Sequence, residues 1–541
     1  MRRLFDLLLL VLLIGGCGER PAREPAANRP STEIPVSGGT LVRRLSSDVT
    51  TLNFVRSSTS HEKYVLSLLH DALLEWDQNL ELGPGIAKKW EVSKDGRVYT
   101  LELDPRATFS DGQKVRATDV VFTLRKIVDP ASESVQLAGL FDGLDLQRTR
   151  AVSEETVEVA FTTARAGQLT SFNIPVLPEH VYRDLDNENE DNWSVVGTGP
   201  YRLARYEPGT EILLERRPDY WRENPYIDSV LFRIISDDSV AWNAMKRGEI
   251  DEMQIKSDRW MAEKDSPQVK SAMEIHRFYE LAYNFIAWNN RDPILSDRDV
   301  RRALTMALDR GSIVESLYHG TARVITGPFT PDQWAYNPNV QPVVYDLEGA
   351  RKLLLQAGWR DSDRDGILDR DGKPLEIEAL MAAGSATSAD QGQIFQDSLR
   401  RIGVILRLTP LEGATFFERI LDGNFQGAFL AWGIDPDPDL FSVFHSSQIP
   451  PIGQNFVYYS NPRVDQLIEQ GRRELDHGRR REIHHELHRI LNQDQPYTWI
   501  VQVSQKWGVN RRVRNVEVGK GLGLFFWRPD SLQWWLAGSS N

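Results

Sequence analysis

Cysteine is almost absent: 541 residues contain one, Cys17. A single thiol allows no internal disulfide and no cysteine-built zinc or iron-sulfur site, and a modified Cys17 would leave no cysteine nucleophile either. Long apolar runs are missing too. Leu7 to Ile14 falls far short of the roughly 20 residues that span a bilayer, and Asp6 breaks it on its N-terminal side. No second run is long enough to cross a membrane. No period of 20 to 50 residues recurs, which excludes solenoids and propellers. Positive charge is in deficit, with 64 Lys and Arg against 77 Asp and Glu. Nucleic acid and anionic lipid surfaces are therefore not expected partners.

Catalytic signatures are absent as well. His484, His485 and His488 suggest a zinc-binding His-Glu-x-x-His, but Arg489 stands at the fourth position after His485, so a solvated scaffold helix is expected. Gly366 to Lys373 is one residue too long for a P-loop, and Pro374 replaces the required Ser or Thr. No Gly-x-Ser-x-Gly elbow occurs. Asp361, Asp363, Asp365, Gly366 and Asp369 imitate positions 1, 3, 5, 6 and 9 of a calcium loop. Position 12, which needs a bidentate Glu, is Gly372, so the expectation is a solvated acidic turn. No catalytic residue, metal site or cofactor is assigned.

What is present begins at the N-terminus. Arg2 and Arg3 form a basic region, the Leu-rich run follows, and Ile14-Gly15-Gly16-Cys17 resembles a lipobox. Residues 1–16 read as a lipoprotein signal, with the mature chain starting at a diacylglycerol-bearing Cys17. Arg2-Arg3-Leu4-Phe5 also resembles a twin-arginine export pattern. Residues 17–37, with Pro21, Pro25, Pro30 and Pro35, read as a flexible tether. The mature chain keeps 62 basic and 76 acidic residues, a formal −14. With 41% hydrophobic and 26% charged residues it is an ordinary globular composition, and its length suggests two to four lobes. The 15 Trp, 15 Tyr and 21 Phe supply the packing that disulfides cannot.

Strand-like and helix-like segments alternate from Gly38 onward, which predicts an α/β or α+β assembly. Tyr99 to Leu103 alternates at period two. Thr118-Asp119 can cap a helix through Val128, with Val120, Val121, Leu124 and Ile127 on its apolar face. Ser296-Asp297 introduces another, in which Val300, Ala303, Leu304 and Ala307 face inward and Arg298, Arg301, Arg302 and Arg310 outward. Leu347 to Ala357 forms a third, ended by Gly358. A helix from Val464 to Asn492 is broken at His477-Gly478, and the cluster Arg472, Arg473 and Arg479 to Arg481 is expected on a solvent face.

In that order the residues resemble a known family. Gly38-Gly39-Thr40-Leu41, Trp90 to Gly96, Phe109 to Gly112, Val196-Gly197-Thr198-Gly199-Pro200-Tyr201, Pro218-Asp219-Tyr220-Trp221, Asp299 to Leu304 and Trp432-Gly433-Ile434-Asp435 are together similar to extracellular solute-binding protein family 5, the peptide-binding lipoproteins of ABC importers. The resemblance implies a two-lobed periplasmic-binding-protein type II (cluster C) fold with an extra inserted subdomain. It places 38–58, 195–280 and 508–541 in the core of lobe I, 59–194 in the insertion and 281–507 in lobe II, with hinges near Ala282-Tyr283 and Gln505 to Val509.

The resemblance also implies the site. Asp435 would receive a peptide's α-ammonium; the alternative is a turn acid in Asp435-Pro436-Asp437-Pro438-Asp439. Trp432 and Gly433 would lie on a strand that an extended peptide could augment, although Trp432 could equally sit in the core. Ser46, Ser47 and Asp48 would form another wall, and Tyr283 and Asn284 would sit at the hinge. The implied function is a monomeric, non-enzymatic receptor held outside the cytoplasm, periplasmic or otherwise, by its lipid. It would capture peptides and deliver them to ABC permease subunits, which the arginine cluster could contact. Oligosaccharide or nickel-chelate binding on the same scaffold remains an alternative, as does a periplasmic enzyme or chaperone.

Overall fold

Val98–Leu103 buries Tyr99, Leu101 and Leu103 in strict alternation, the period-two strand that the sequence predicts. It is flanked by Ala87–Val92 and Thr156–Ala160 in a four-stranded antiparallel sheet. The helix Ala117–Val128 covers this sheet with Val120, Val121, Leu124 and Ile127 buried. Its cap differs from the expectation. Arg116 is the N-cap residue, and Asp119, three positions on, reaches back to accept the Arg116 backbone N–H at 2.7 Å. The computed structural model describes residues 34–134, 136–184 and 195–538. The export signal, Cys17 and the tether as far as Glu33 lie outside the described residues. Among the described residues no helix is long and apolar enough to cross a membrane.

A twelve-stranded sheet organises the rest. Four of its strands define the geometry: β1 (Met273–Tyr279), β2 (Ala282–Trp288), β3 (Gly427–Gly433) and β4 (Tyr497–Asn510). The first residues of β4 pair with β2, and Val501 to Val503 pair with Ala322–Val324. From Ser504 onward the same strand pairs with β1, and Trp507 to Val509 also pair with Glu252–Gln254. One strand therefore runs through both sections of the sheet. The chain crosses a second time at Glu280-Leu281, between β1 and β2. Apolar residues follow this division. Leu41, Phe232 and Trp507 belong to the core of the first section. In the second, Ile286 and Trp288 of β2 face one cluster and Tyr283 and Phe285 face another.

Arginines depart most from the sequence reading. In the helix Arg298–Ala307, capped by Asp297 as predicted, Arg301 is only 4% exposed. Its guanidinium donates to the carbonyls of Leu295, Ser296, Asp494 and Gln495. Arg310 is 6% exposed and donates to the Trp499 and Val343 carbonyls. Each guanidinium satisfies backbone acceptors that would otherwise be buried without a donor, so these two arginines act as interior ties and not as an outward face. The segment from Val464 onward forms two helices, α2 (Pro462–Arg473) and α3 (His477–Asp494), the latter capped by Asp476. Two of its histidines are also not solvated: His484 and His488 are buried. His488 Nδ1 accepts the Asn337 N–H at 3.1 Å, so its proton lies on Nε2, 2.9 Å from Thr326 Oγ1.

The segments Val196 to Tyr201 and Pro218 to Trp221 meet at one buried acid. Asp71 follows α1 (Ser60–Leu69) and is wholly buried. Its carboxylate accepts the Tyr220 hydroxyl at 2.9 Å and Trp221 Nε1 at 2.8 Å, while its backbone N–H goes to Thr198 Oγ1 at 2.8 Å. A Cβ on Gly197 would meet the Leu69 carbonyl oxygen at 2.0 Å, and one on Gly199 would meet that of Leu68 at 2.5 Å. Thr198 can reach Asp71 only because its two neighbours are glycines.

Two stability predictions follow from this interior. Asp71→Ala strands the buried Tyr220 hydroxyl at about 1–3 kcal/mol and leaves Trp221 Nε1 only its longer bond to the Thr198 carbonyl at 3.2 Å, so urea unfolding should show a loss of about 2 kcal/mol; a loss under about 0.5 kcal/mol would remove the anchoring role. Burial, the main cause, together with neighbouring His485 holds His488 down at about 3, against an ordinary 6.5. Below pH 6.5 the unfolded chain takes up a proton that the native state refuses, so this contribution is present above 6.5 and is lost as pH falls toward 3. Between pH 7 and 5 it amounts to about 2 kcal/mol at 1.36 kcal/mol per unit. His488→Gln should flatten the stability-versus-pH curve over that interval by about this amount, and an unaltered slope would contradict the assignment.

Candidate functional site

β3 pairs along its whole length with β2, from Ala282↔Gly433 to Trp288↔Gly427. Its other edge meets Glu376–Ala382 only at Gly427 and Ala428. From Phe429 to Gly433 that edge has no strand partner among the described residues, which leaves main-chain groups available for pairing. Trp432 is half-buried: its ring is stacked parallel to Phe285 with centroids 6.1 Å apart and leans on Phe456 at 6.0 Å. Gly433 is exposed, with no atom within 4 Å of where a Cβ would stand.

The acidic segment after β3 is held in detail. Arg480 Nη1 donates to Asp437 Oδ2 at 2.8 Å, and its Nη2 lies 2.8 Å from Oδ1. The same guanidinium lies 4.9 Å from the Trp334 ring centre. Arg472 Nε stands 3.1 Å from Asp439 Oδ2, and its guanidinium carbon lies 4.0 Å from the Phe441 ring centre. His484 lies between two carbonyls, Arg480 O at 2.8 Å from Nδ1 and Pro438 O at 3.3 Å from Nε2. Gln333 Nε2 donates to the Asp435 carbonyl at 2.6 Å. Arg472 and Arg480 are thus structural partners of the acids, whereas Arg473, Arg479 and Arg481 stay on the exposed face.

This arrangement leaves one acid over. No hydrogen bond or ion pair among the described residues closes on the Asp435 carboxylate. Burial raises it above the ordinary carboxylate range, opposed chiefly by the charge of Lys63, while Asp437 and Asp439 add to the rise. Lys63, in the first turn of α1, is lowered by burial and sustained by Asp435 and Glu62. By surface area both side chains are exposed, yet both are crowded by protein. The two observations agree if the groups face each other across a gap, reachable by solvent but walled on both sides. Lys63 Nζ donates to Gln136 Oε1 at 2.8 Å, and Gln136 in turn donates to the Ser58 carbonyl at 2.9 Å. At the rim the gap is bridged: the Ala166 N–H donates to the Arg472 carbonyl. Gly167, at φ 67°, approaches so closely that a Cβ would lie 2.9 Å from Asp437 Oδ2.

The other predicted residues fall in several places. Ser46 and Ser47 are exposed, with Ser46 Oγ 2.8 Å from His61 Nε2 at the start of α1. Asp48 is already committed: Oδ1 accepts the Val49 N–H at 2.8 Å, and Oδ2 accepts the Gly209 N–H at 2.6 Å and the Tyr206 hydroxyl at 3.1 Å. It pins a hairpin. Tyr283 is 3% exposed and packs edge-on against Phe285 in the aromatic core, so its ring lies beneath the sheet surface. Asn284 is half-buried on β2, opposite Ala431. Asp361, Asp363 and Asp365 do converge within 4.8 Å, but Asp369 turns to Ser362 instead, accepting both its N–H and its hydroxyl at 2.8 Å. Lys63 was not singled out from the sequence, and Arg472 and Arg480 were read only as part of an exposed cluster that a permease could contact, because a cation on an amphipathic helix carries no sequence signal of its partner. A recess of ≈ 460 Å³ at the strand crossing is lined by Tyr279, Asp332, Lys520 and Gly521 among others. Neither Asp435 nor Lys63 borders it, so the site is built on the acidic segment.

Comparison with known proteins agrees with this architecture. Residues 81–449 match the model for the middle region of bacterial extracellular solute-binding proteins, family 5. The chain is 25% identical over 542 residues to the oligopeptide-binding protein AppA of Bacillus subtilis, covering 98% of this chain and 97% of that one. The structure of CtaP, an ABC transporter substrate binding protein of Listeria monocytogenes, aligns at a TM-score of 0.80 and 25% identity, covering 92% of this chain and 99% of the other. NikZ of Campylobacter jejuni, in complex with Ni(L-His), aligns at 0.78 and 25% identity with the same coverage. With this match running through the inserted sheet, the strand crossing and the acidic segment, the chain belongs to the bacterial extracellular solute-binding proteins of family 5, in their two-lobed α/β type II fold with an extra inserted subdomain.

Proposed function

We propose that this protein is the peptide-capturing subunit of an ABC importer, anchored outside the cytoplasm through a lipid on Cys17 and delivering its cargo to membrane permease subunits. The observation that carries the reading is the Asp435 carboxylate, left without a partner on a segment whose other acids are tied by Arg480 and Arg472. A peptide's α-ammonium fits that position. Its main chain can extend along the vacant edge of β3 from Gly433 toward Phe429, a mode that reads backbone and tolerates many side chains. The name of the Bacillus relative, oligopeptide-binding protein, supports the same ligand class.

Binding and closure are then linked. With lobe I formed by 38–58, 195–280 and 508–541 plus the insertion 59–194, and lobe II by 281–507, a ligand at Asp435 also lies under Lys63 of the opposite lobe. Contacts made to both sides only in the closed form favour that form by their free energy. Asp437 and Arg480 provide the surface on which the turn at Gly167 seats. The energy for transport comes from ATP hydrolysed by other subunits, and this chain supplies capture and presentation.

Native mass spectrometry of the purified protein should detect co-purifying peptides; a sugar or a metal chelate would instead select one of the alternative ligand classes. Removing one partner of a buried charge pair costs about 3–5 kcal/mol. Asp435→Ala should therefore weaken trialanine binding by roughly two to four decades in calorimetric titration. Unchanged affinity in this variant would remove the ammonium role.

A further inference from the structure

Glu280 occupies the second crossing of the chain between the two sheet sections, and its main chain is fixed from several sides. Its carbonyl accepts Gln502 Nε2 at 2.6 Å and the Ala282 N–H at 2.8 Å. It bridges to Gly521, whose carbonyl takes the Leu281 N–H at 3.1 Å. On the other flank the Ile434 N–H donates to the Leu281 carbonyl at 2.8 Å. Glu280 and Asp435 are therefore the residues that flank one hydrogen bond, Glu280 just before its acceptor and Asp435 just after its donor.

The side chain has a partner but no counter-charge. Gln254 Nε2 donates to Gln505 Oε1 at 2.6 Å, which leaves the Gln505 amide N–H group to donate to the Glu280 carboxylate. No salt bridge to Glu280 exists among the described residues. Burial, resisted only by that hydrogen bond, pushes its carboxyl up to about 7. Its charge is felt by Tyr64 of α1, the residue after Lys63. Lys63 does not neutralise it: its Nζ donates to Gln136, and its charge is not among the influences on Glu280. A half-buried carboxylate without a cation is costly, and its residue is set across from Asp435 by the Ile434-to-Leu281 hydrogen bond.

Resting on the peptide reading above, we infer that Glu280 is a second cation-recognition position, selecting peptides that carry a basic side chain in addition to the α-ammonium held at Asp435. The hydrogen bonds at 280–282 and 434 tie the main chains that carry the two acids to each other, so a lysine- or arginine-containing peptide can be matched to both. Neutral peptides would bind through Asp435 and the β3 edge alone.

The test compares trialanine with the three tripeptides that carry one Lys among two Ala, by calorimetry at pH 8.5 where Glu280 is ionised. In the unaltered protein at least one lysine peptide should bind about tenfold more tightly than trialanine, the effect of one charge-assisted hydrogen bond. Glu280→Gln should bring that ratio close to one, whereas Asp435→Ala should weaken all four peptides and preserve the ratio. Thermal unfolding of each variant reports whether it is folded, and Glu280→Asp should restore part of the preference. Absence of a lysine preference in the unaltered protein, or its persistence in Glu280→Gln, overturns the inference while leaving the peptide reading intact. If none of the four peptides binds, both fall together.

Discussion

The pair Arg480–Asp437 is the interaction on which the site depends. Three acids in five residues would repel one another and leave a loosely held loop, since each carboxylate must be solvated or matched. Arg480, almost buried beneath the segment, meets the middle acid through two nitrogens, and Arg472 stands against the last. His484 and Gln333 take up the carbonyls between. The segment is thereby built as a frame whose internal charge is settled at two of three positions. The remaining carboxylate is then presented by neighbours whose own polar groups already have partners.

The same principle operates at larger scale. A single strand, Tyr497–Asn510, belongs to both sheet sections, changing partners between Val503 and Ser504. Glu280-Leu281 makes the other crossing. Both connections carry backbone hydrogen bonds on either side, so the two sections are joined by strands that remain paired up to the crossing itself. Lys63 and Asp435, on opposite sides, are placed relative to each other through these two connections and through the rim contact at Ala166.

Much of the fold was legible in the sequence because the local signals are strong. Period-two burial at Val98–Leu103, the Asp297 cap and the helix stop before Gly358 each depend on a few adjacent residues. The order of the family motifs identified the architecture. Burial of charged groups was not legible. Arg301, Arg310 and Arg480 read as surface because arginine usually is, and the carbonyls and carboxylates that justify their burial lie far away in the chain; Arg301 to Asp494 spans 193 positions. Asp48 and Tyr283 show the converse. Each lies where a ligand wall is expected, but Asp48 is spent on a hairpin and Tyr283 on the aromatic core. Only their three-dimensional partners distinguish a spent group from an available one.

The rim contact has a kinetic consequence. It consists of one main-chain hydrogen bond, from Ala166 to Arg472, and the close seating of a glycine. Such a bond is worth about 1 kcal/mol net in water, less than a factor of ten in an equilibrium. On the proposed capture role, a catch this weak adds little to closure beyond what a ligand supplies. Residence time, in that role, would be set by the guest's own grip on the two walls.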